Sequence, residues 1–172
     1  HLPTRVEHRF DRVGIELQWL ETLAAERAVK EIRPFSPATR KALLKLRKDF
    51  SGRDAEHIKN IEAETNHDVK AIEYWLKGRL AKNAQVQKSL EFIHFACTSE
   101  DINNLSHALM LKGARDGVLL PALERVIARL TDLAHELADL PMLSRTHGQP
   151  ASPTTFGKEL ASRGFDVGFG CW

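Results

Sequence analysis

The sequence predicts an all-α protein, and two observations carry that prediction. Apolar residues recur at three- and four-residue steps through most of the 172 residues, as they do along one face of a helix. No stretch alternates apolar and polar residues for long enough to predict a strand. Short polar segments separate the helical ones, which is typical of helices joined by short loops.

The helices can be bounded from the pattern and its breaks. Ser36 is the expected N-cap of the second helix, with Pro37 at its first position. Gly148 and Pro150 predict a polar loop between helices over residues 144–150. The predicted helices cover residues 4–30, 37–50, 54–64, 69–80, 89–97, 102–113, 116–138 and 151–161. Pro121 is expected in the first turn of the helix over residues 116–138.

Composition excludes several classes of protein. Apolar residues make up 42% and charged residues 28%, an ordinary soluble mixture. A net charge of +2 is too small to argue for nucleic acid. No apolar run approaches the roughly 20 residues that span a bilayer, and no leader opens the chain. Cys97 and Cys171 are isolated thiols, so we expect a reducing compartment, the cytoplasm.

Three polar breaks between helices carry the chemistry of interest: Asn66-His67-Asp68, Thr98-Ser99 and Arg145-Thr146-His147. If the helices fold back on one another, these breaks come together and offer hydrogen-bond donors to an anionic ligand. Two of the breaks contain a histidine, His67 and His147, and histidine is a residue type suited to proton transfer near neutral pH. Taken singly, most of these residues are more common as plain helix caps than as ligands.

A metal site is the weaker interpretation of the same residues. His67, Asp68, His94 and His147 have metal-binding side chains, but their spacing matches no compact zinc motif. We therefore predict no metal. His94 and His107 lie in apolar helical surroundings and are expected to be packed rather than functional.

Three motifs resemble a known family. They are TNHDVKAIE over residues 65–73, FIHFACTSEDINN over residues 92–104 and SRTHGQPA over residues 144–151. In this order they resemble the adenylosuccinate lyase family of the bacterial purine pathway, within the fumarase/aspartase superfamily. The resemblance covers about residues 5–161.

The resemblance implies a division of the chain. Residues 1–115 are expected to form the N-terminal helical domain of the fumarase/aspartase-like fold, and residues 116–162 the start of its central helical bundle. Residues 163–172 are Gly-rich and unlike the family, and their three glycines oppose a continued helix. Both ends look cut, so we expect a truncated or frameshifted product, or a fragment.

The resemblance also implies an activity. The family eliminates fumarate from adenylosuccinate to give AMP, and from SAICAR to give AICAR. No metal or organic cofactor is implied, and neither nucleic acid nor a membrane is an expected partner. The family is homotetrameric, with active sites shared between subunits.

Site residues follow by matching the motifs. His147 is the implied general acid, and His67 is the second histidine expected to support the chemistry. The base is a serine on a loop that this sequence does not reach, so the chain alone is expected to be inactive. The implied substrate-binding residues are Asn66, His67, Asp68, Thr98, Ser99 and Thr146.

Two alternatives remain open at this point. One is another fumarate-releasing lyase, such as one acting on argininosuccinate, although the residues present at positions 66–68 and 98–101 argue against it. The other is a non-catalytic helical interaction module derived from the lyase fold, which its exposed apolar helix faces would favour.

Overall fold

A computed structural model describes the backbone of residues 5–169 and the side chains of residues 9–164. The chain divides into two compact units, His1–Lys112 and Gly113–Trp172. Helices dominate both units, which confirms the all-α prediction apart from one small sheet. Within the described residues, no helix is long and apolar enough to cross a membrane.

The first unit is built from helices that follow the predicted order. They are α1 (Arg5–Ala25), α2 (Pro37–Lys48), α3 (Gly52–Thr65), α4 (Asp68–Leu80), a 3₁₀ helix (Gln87–Phe92) and α5 (Ser99–Ala114). Ser36 caps α2 as predicted, because its hydroxyl oxygen accepts the Thr39 N–H at 3.2 Å and Pro37 follows it. Asp54 anchors the start of α3 by accepting the Ser51 N–H at 2.9 Å.

Helix α4 lies at the centre of the first unit and packs against α1 and α3. Burying each Leu or Ile in this core stabilises the fold by about 1.5–3 kcal/mol, so the core holds these helix ends in place. The fully or nearly fully buried apolar side chains of the four main helices include Val13, Leu17, Leu20, Leu43, Ile58, Val69, Ile72, Trp75 and Leu76.

The predicted helix over residues 89–97 is wrong. The 3₁₀ helix ends at Phe92, and His94 and Ala96 adopt left-handed backbone with φ of 63° and 58°. The indole Nε1 of Trp19 on α1 donates to the Phe95 carbonyl at 2.8 Å. Because a side chain of another helix takes this carbonyl, the segment is shaped by tertiary contacts that periodicity does not report.

The second unit combines two helices and a hairpin. A π-helical segment (Arg115–Leu119) leads into α6 (Leu120–Glu136), and Pro121 lies in its first turn as predicted. Proline is tolerated there because its missing N–H would have no partner in the first turn.

An antiparallel hairpin occupies the region predicted as a polar loop and the start of a helix. Strands β1 (Pro141–Thr146) and β2 (Gln149–Thr155) pair through Thr146 and Gln149, which leaves a two-residue turn. That turn is His147-Gly148, and its φ values of 52° and 79° are both positive, as a type I′ turn requires. The loop and helix predictions for residues 144–155 are therefore wrong.

Helix α7 (Phe156–Phe169) packs against α6. It runs beyond residue 161, so the expected break at the tail glycines is wrong for the described residues up to Phe169. Gly157 sits where the two helices meet: a Cβ atom there would lie 2.3 Å from the Ala134 carbonyl oxygen and 2.7 Å from Ala138 Cα. The close approach of α6 and α7 therefore requires glycine at this position.

Substituting Gly157 with alanine should separate α6 from α7. We expect Gly157→Ala to lower the free energy of unfolding by about 1–3 kcal/mol, because the clash is with backbone that cannot rotate away. Gly113→Ala is the matched control, since a Cβ on that helical glycine meets nothing within 4 Å. It should stabilise the chain by roughly 0.5–1 kcal/mol through helix propensity. Urea unfolding of both variants gives the comparison, and equal effects would contradict the packing argument.

Candidate active site

A polar cleft of about 620 Å³ opens on the first unit where the break between α3 and α4 faces the beginning of α5. Two of the three predicted breaks thus come together, the one at residues 66–68 and the one at Ser99. The cleft is lined by Lys59, Glu62, Ala63, Asn66, His67, Asp68, Ser99, Glu100 and Asn103.

Asn66 makes the turn between the two helices that carry one wall of the cleft. It ends α3 in left-handed backbone with φ of 53°, and its N–H donates to the Glu62 carbonyl at 2.8 Å. Asparagine tolerates this conformation better than most residues other than glycine. The chain can therefore reverse immediately and begin α4 two residues later.

His67 is the N-cap of α4, and its ring is about half exposed in the cleft. Its Nδ1 accepts the Lys70 N–H at 3.2 Å. A neutral imidazole that accepts at Nδ1 carries its proton on Nε2, so that N–H is left to donate to a ligand. Asp68 Oδ1 lies 3.8 Å from the same Nδ1, which is too far for a hydrogen bond.

Asp68 has both carboxylate oxygens engaged. Oδ1 accepts the Val69 N–H at 2.8 Å, and Oδ2 pairs with Arg12 Nη1 of α1, also at 2.8 Å. Partial burial alone would raise the pKa of Asp68. The Val69 hydrogen bond and the Arg12 charge outweigh burial and hold that pKa below its usual value. The carboxylate is thus ionised and oriented at the beginning of α4.

The other wall of the cleft is the beginning of α5. Thr98 donates both its N–H and its hydroxyl to Asp101 Oδ2, at 2.7 Å and 3.0 Å. These bonds lower the pKa of Asp101. Ser99, the first residue of α5, lines the cleft, whereas Thr98 is outside its lining. Asn103 also lines the cleft, and its buried Oδ1 has no hydrogen-bond partner within the described part of the chain.

Thr146 and His147 belong to the second unit and form their own group. Thr146 is the last residue of β1, and His147 is the first residue of the exposed turn. Arg145 braces the turn by donating from Nη1 to the Gly148 carbonyl at 3.2 Å. The turn thus presents the His147 ring from a backbone held by strand pairing.

The surroundings of two buried carboxylates of the first unit shift their pKa values in opposite directions. Glu16 is fully buried with Oε1 2.7 Å from His94 Nδ1, and its burial outweighs the histidine and raises its pKa. Burial also acts to raise the pKa of Glu73, but Lys70 and Lys77, at 2.7 Å and 3.1 Å, outweigh it and lower that pKa. His94 is thus packed against a partner, as expected, whereas His107, which was also expected to be packed, is exposed.

Sequence reasoning missed several residues of this site. The cleft is also lined by Lys59, Glu62, Glu100 and Asn103. Arg12 does not line it but pairs with Asp68, which does. A signal existed for Arg12, because Arg9, Arg12 and Glu16 recur at three- and four-residue steps and so share one side of α1 with apolar residues. Among the described residues no three His, Cys, Asp or Glu side chains group closely enough to hold a metal ion.

Comparison with known proteins identifies the family. The chain matches the lyase family over residues 4–164. It belongs to that family. Among curated relatives, the adenylosuccinate lyases of Haemophilus influenzae and Escherichia coli K12 are 53% and 54% identical over 151 residues. Those matches cover 88% of this chain and 33% of each relative, so this lyase-family chain spans about a third of their length.

A solved structure supports the fold. The 3-carboxy-cis,cis-muconate lactonizing enzyme of Pseudomonas putida superposes with a TM-score of 0.61 at 19% identity. The match covers 95% of this chain and 34% of that enzyme. At this identity the likeness concerns the fold alone.

The opposite pKa shifts of Glu16 and Glu73 predict opposite dependences of stability on pH. Both groups have a usual pKa near 4.5. Because the folded pKa of Glu16 is raised, its contribution is full below 4.5 and is lost as pH rises through the raised value. Because that of Glu73 is lowered, its contribution is full above 4.5 and is lost as pH falls through the lowered value.

Isosteric variants test these signs. The free energy of unfolding of Glu16→Gln, relative to that of the unsubstituted chain, should increase as pH rises above 4.5. As pH falls below 4.5, Glu73→Gln should lose less of its free energy of unfolding than the unsubstituted chain does. Urea unfolding between pH 3 and 8, at roughly half-unit steps, measures the slopes. Slopes of the same sign for both variants would contradict the assigned surroundings.

Proposed function

We propose that this region belongs to an adenylosuccinate lyase, which eliminates fumarate from adenylosuccinate to give AMP and from SAICAR to give AICAR in purine biosynthesis. The observation that carries the proposal is the identity of 53–54% with two enzymes of that name over 151 residues. The cleft supports it, because its lining offers hydroxyl, amide and imidazole groups that can donate hydrogen bonds to a ligand.

The elimination requires three things of the protein. A base removes a proton from the carbon next to a substrate carboxylate, and the electron pair left behind is delocalised into that carboxylate. The C–N bond then breaks, fumarate forms, and an acid protonates the departing nitrogen. Preorganised donors stabilise the charge that gathers on the carboxylate in the intermediate.

Each residue of the proposed site takes one of these roles. His147 is the general acid, and Thr146 beside it contacts a substrate carboxylate. His67 donates from Nε2 and supports the chemistry. The other proposed substrate-binding residues are Asn66, Asp68, Thr98 and Ser99.

The setting of the enzyme is proposed in the same way. It acts as a homotetramer in the cytoplasm, with active sites shared between subunits and with no metal or organic cofactor. Residues 1–115 form its N-terminal helical domain, and residues 116–162 begin its central bundle. The base is a serine supplied by the remaining two thirds of the enzyme.

A chimera tests the activity. The 151 matched residues replace their counterparts in the Escherichia coli relative, which supplies the other two thirds. We expect the purified chimera to release fumarate from adenylosuccinate and from SAICAR at rates within about tenfold of the parent, since half of the replaced residues are identical. Release from argininosuccinate instead would favour the other lyase. A folded chimera without any lyase activity, combined with defined self-association of the chain in light scattering, would favour the interaction module.

The acid role of His147 gives a sharper prediction. In the chimera, His147→Ala should lower kcat by about 10²–10⁴-fold and change KM little, because proton donation to the leaving nitrogen is made only in the transition state. His135→Ala is the control, since His135 is an exposed histidine of α6 in the same unit. A normal kcat for His147→Ala, or an equal loss for the control, would refute the assignment.

A further inference from the structure

Arg12 is an unusual residue for the inner side of α1. Its side chain is only 9% exposed, and Nη1 lies 2.8 Å from Asp68 Oδ2. Its Nε is buried without a hydrogen-bond partner among the described residues. Burying a guanidinium that lacks one hydrogen bond costs hydration free energy, and an apolar side chain of similar size would often give the core equal stability. A role beyond stability is therefore the better account of this arginine.

What Arg12 controls is the carboxylate beside His67. Asp68 Oδ1 lies 3.8 Å from His67 Nδ1, so a small rotation of the carboxylate would bring it within hydrogen-bonding distance. A carboxylate in that position stabilises the tautomer that carries its proton on Nδ1. The Arg12 ion pair on Oδ2 and the Val69 N–H on Oδ1 oppose that rotation.

The tautomer of His67 matters because its Nδ1 accepts a backbone hydrogen bond. Nδ1 accepts the Lys70 N–H at 3.2 Å, which leaves Nε2 as the protonated nitrogen. If the proton moved to Nδ1, the Lys70 N–H would lose its acceptor and Nε2 would become an acceptor. His67 could then no longer donate to an anionic ligand in the cleft.

We propose that Arg12 is a positioning residue: by pairing with Asp68 it keeps the carboxylate away from His67 Nδ1 and so holds His67 in the tautomer protonated on Nε2. Its catalytic consequence rests on the proposed function, whereas the tautomer itself does not. The inference concerns the action of Arg12 on His67 through Asp68.

The chain offers a matched control on the same helix. Arg9, one turn before Arg12, pairs with Glu62 through Nη2 at 3.0 Å, and its side chain is 14% exposed. This pair also joins α1 to a residue that lines the cleft, but it does not touch the break at His67. If Arg12 merely fastens α1 to its neighbours, Arg9→Met and Arg12→Met should have the same effects.

The first experiment reads the tautomer directly. The 172-residue chain is labelled with ¹⁵N-histidine, and His67→Gln identifies the His67 signals among the eight histidines. Spectra are recorded near pH 8, and the tautomer is read from the signals of the neutral ring. We expect the Nε2-protonated form to dominate in the unsubstituted chain and in Arg9→Met, and the Nδ1-protonated form to become substantial in Arg12→Met.

A double variant separates positioning from packing. In Arg12→Met/Asp68→Asn the competing carboxylate is gone, so His67 should return to the Nε2-protonated form even though the ion pair is still absent. Arg12→Gln is a smaller change in polarity and should shift the tautomer in the same direction as Arg12→Met. It replaces Arg12→Met in the experiment if that variant does not fold. An unchanged tautomer in the folded Arg12 variant, an equal shift in Arg9→Met, or no recovery in the double variant would overturn the proposal.

The second experiment measures the catalytic consequence in the chimera. Arg12→Met should lower kcat roughly ten- to a hundredfold, because a misplaced donor fails chiefly in the transition state, while Arg9→Met stays within about twofold. If the unsubstituted chimera releases no fumarate, the proposed function fails and the tautomer result stands by itself. If the chimera is active and Arg12→Met keeps both its kcat and its tautomer, the inference about Arg12 fails alone.

Discussion

The left-handed backbone of Asn66 is the constraint on which the candidate site of the first unit depends. With φ of 53° it ends α3 and lets α4 begin at Asp68, so the chain reverses within two residues. A longer connection would let the two helices slide past one another. The short reversal places His67 and Asp68 at the open end of a helix pair whose other faces are packed into the core.

Helix α1 supplies two buried polar side chains that orient residues of the first unit. Arg12 and Glu16 are both buried, one under Asp68 and the other against His94. Buried polar contacts of this kind contribute little net stability, since the loss of hydration offsets most of their attraction. Their value lies in orientation: each holds a particular side chain where an apolar contact would leave it free to rotate. The helix is therefore both a core element and a support for the cleft.

Periodicity predicted the parts of the fold that local physics decides. Helices α1 to α4 carry clear apolar faces, and Ser36-Pro37 marks a helix start with a known hydrogen bond. The hairpin was missed because Pro150 and a run of polar residues are typical of a loop, although proline is acceptable in a two-stranded ribbon whose strands are both at an edge. The turn residues His147-Gly148 were its signal, since they resemble the Asn-Gly pairs of type I′ turns.

The site was predictable to the extent that it lies on helix ends. The breaks at Asn66-His67-Asp68 and at Ser99 were expected to meet if the helices folded back, and they line one cleft. Arg12 was not predictable as a partner of Asp68, because a single sequence does not state which residues 56 positions apart will touch. Glu62 and Asn103 were hidden for the same reason: they look like ordinary exposed positions of α3 and α5 until the helices are packed.

His67 and His147 lie in different units and share one structural principle despite their different settings. His67 is held by a helix N-terminus, where the Lys70 N–H fixes its Nδ1. His147 is held by a two-residue turn whose φ values follow from the pairing of Thr146 with Gln149. In both cases backbone hydrogen bonds, rather than packing around the ring, set the position of the residue. A residue so held keeps its ring accessible to a ligand while its backbone is already ordered, so less backbone freedom is lost on binding than in a mobile loop.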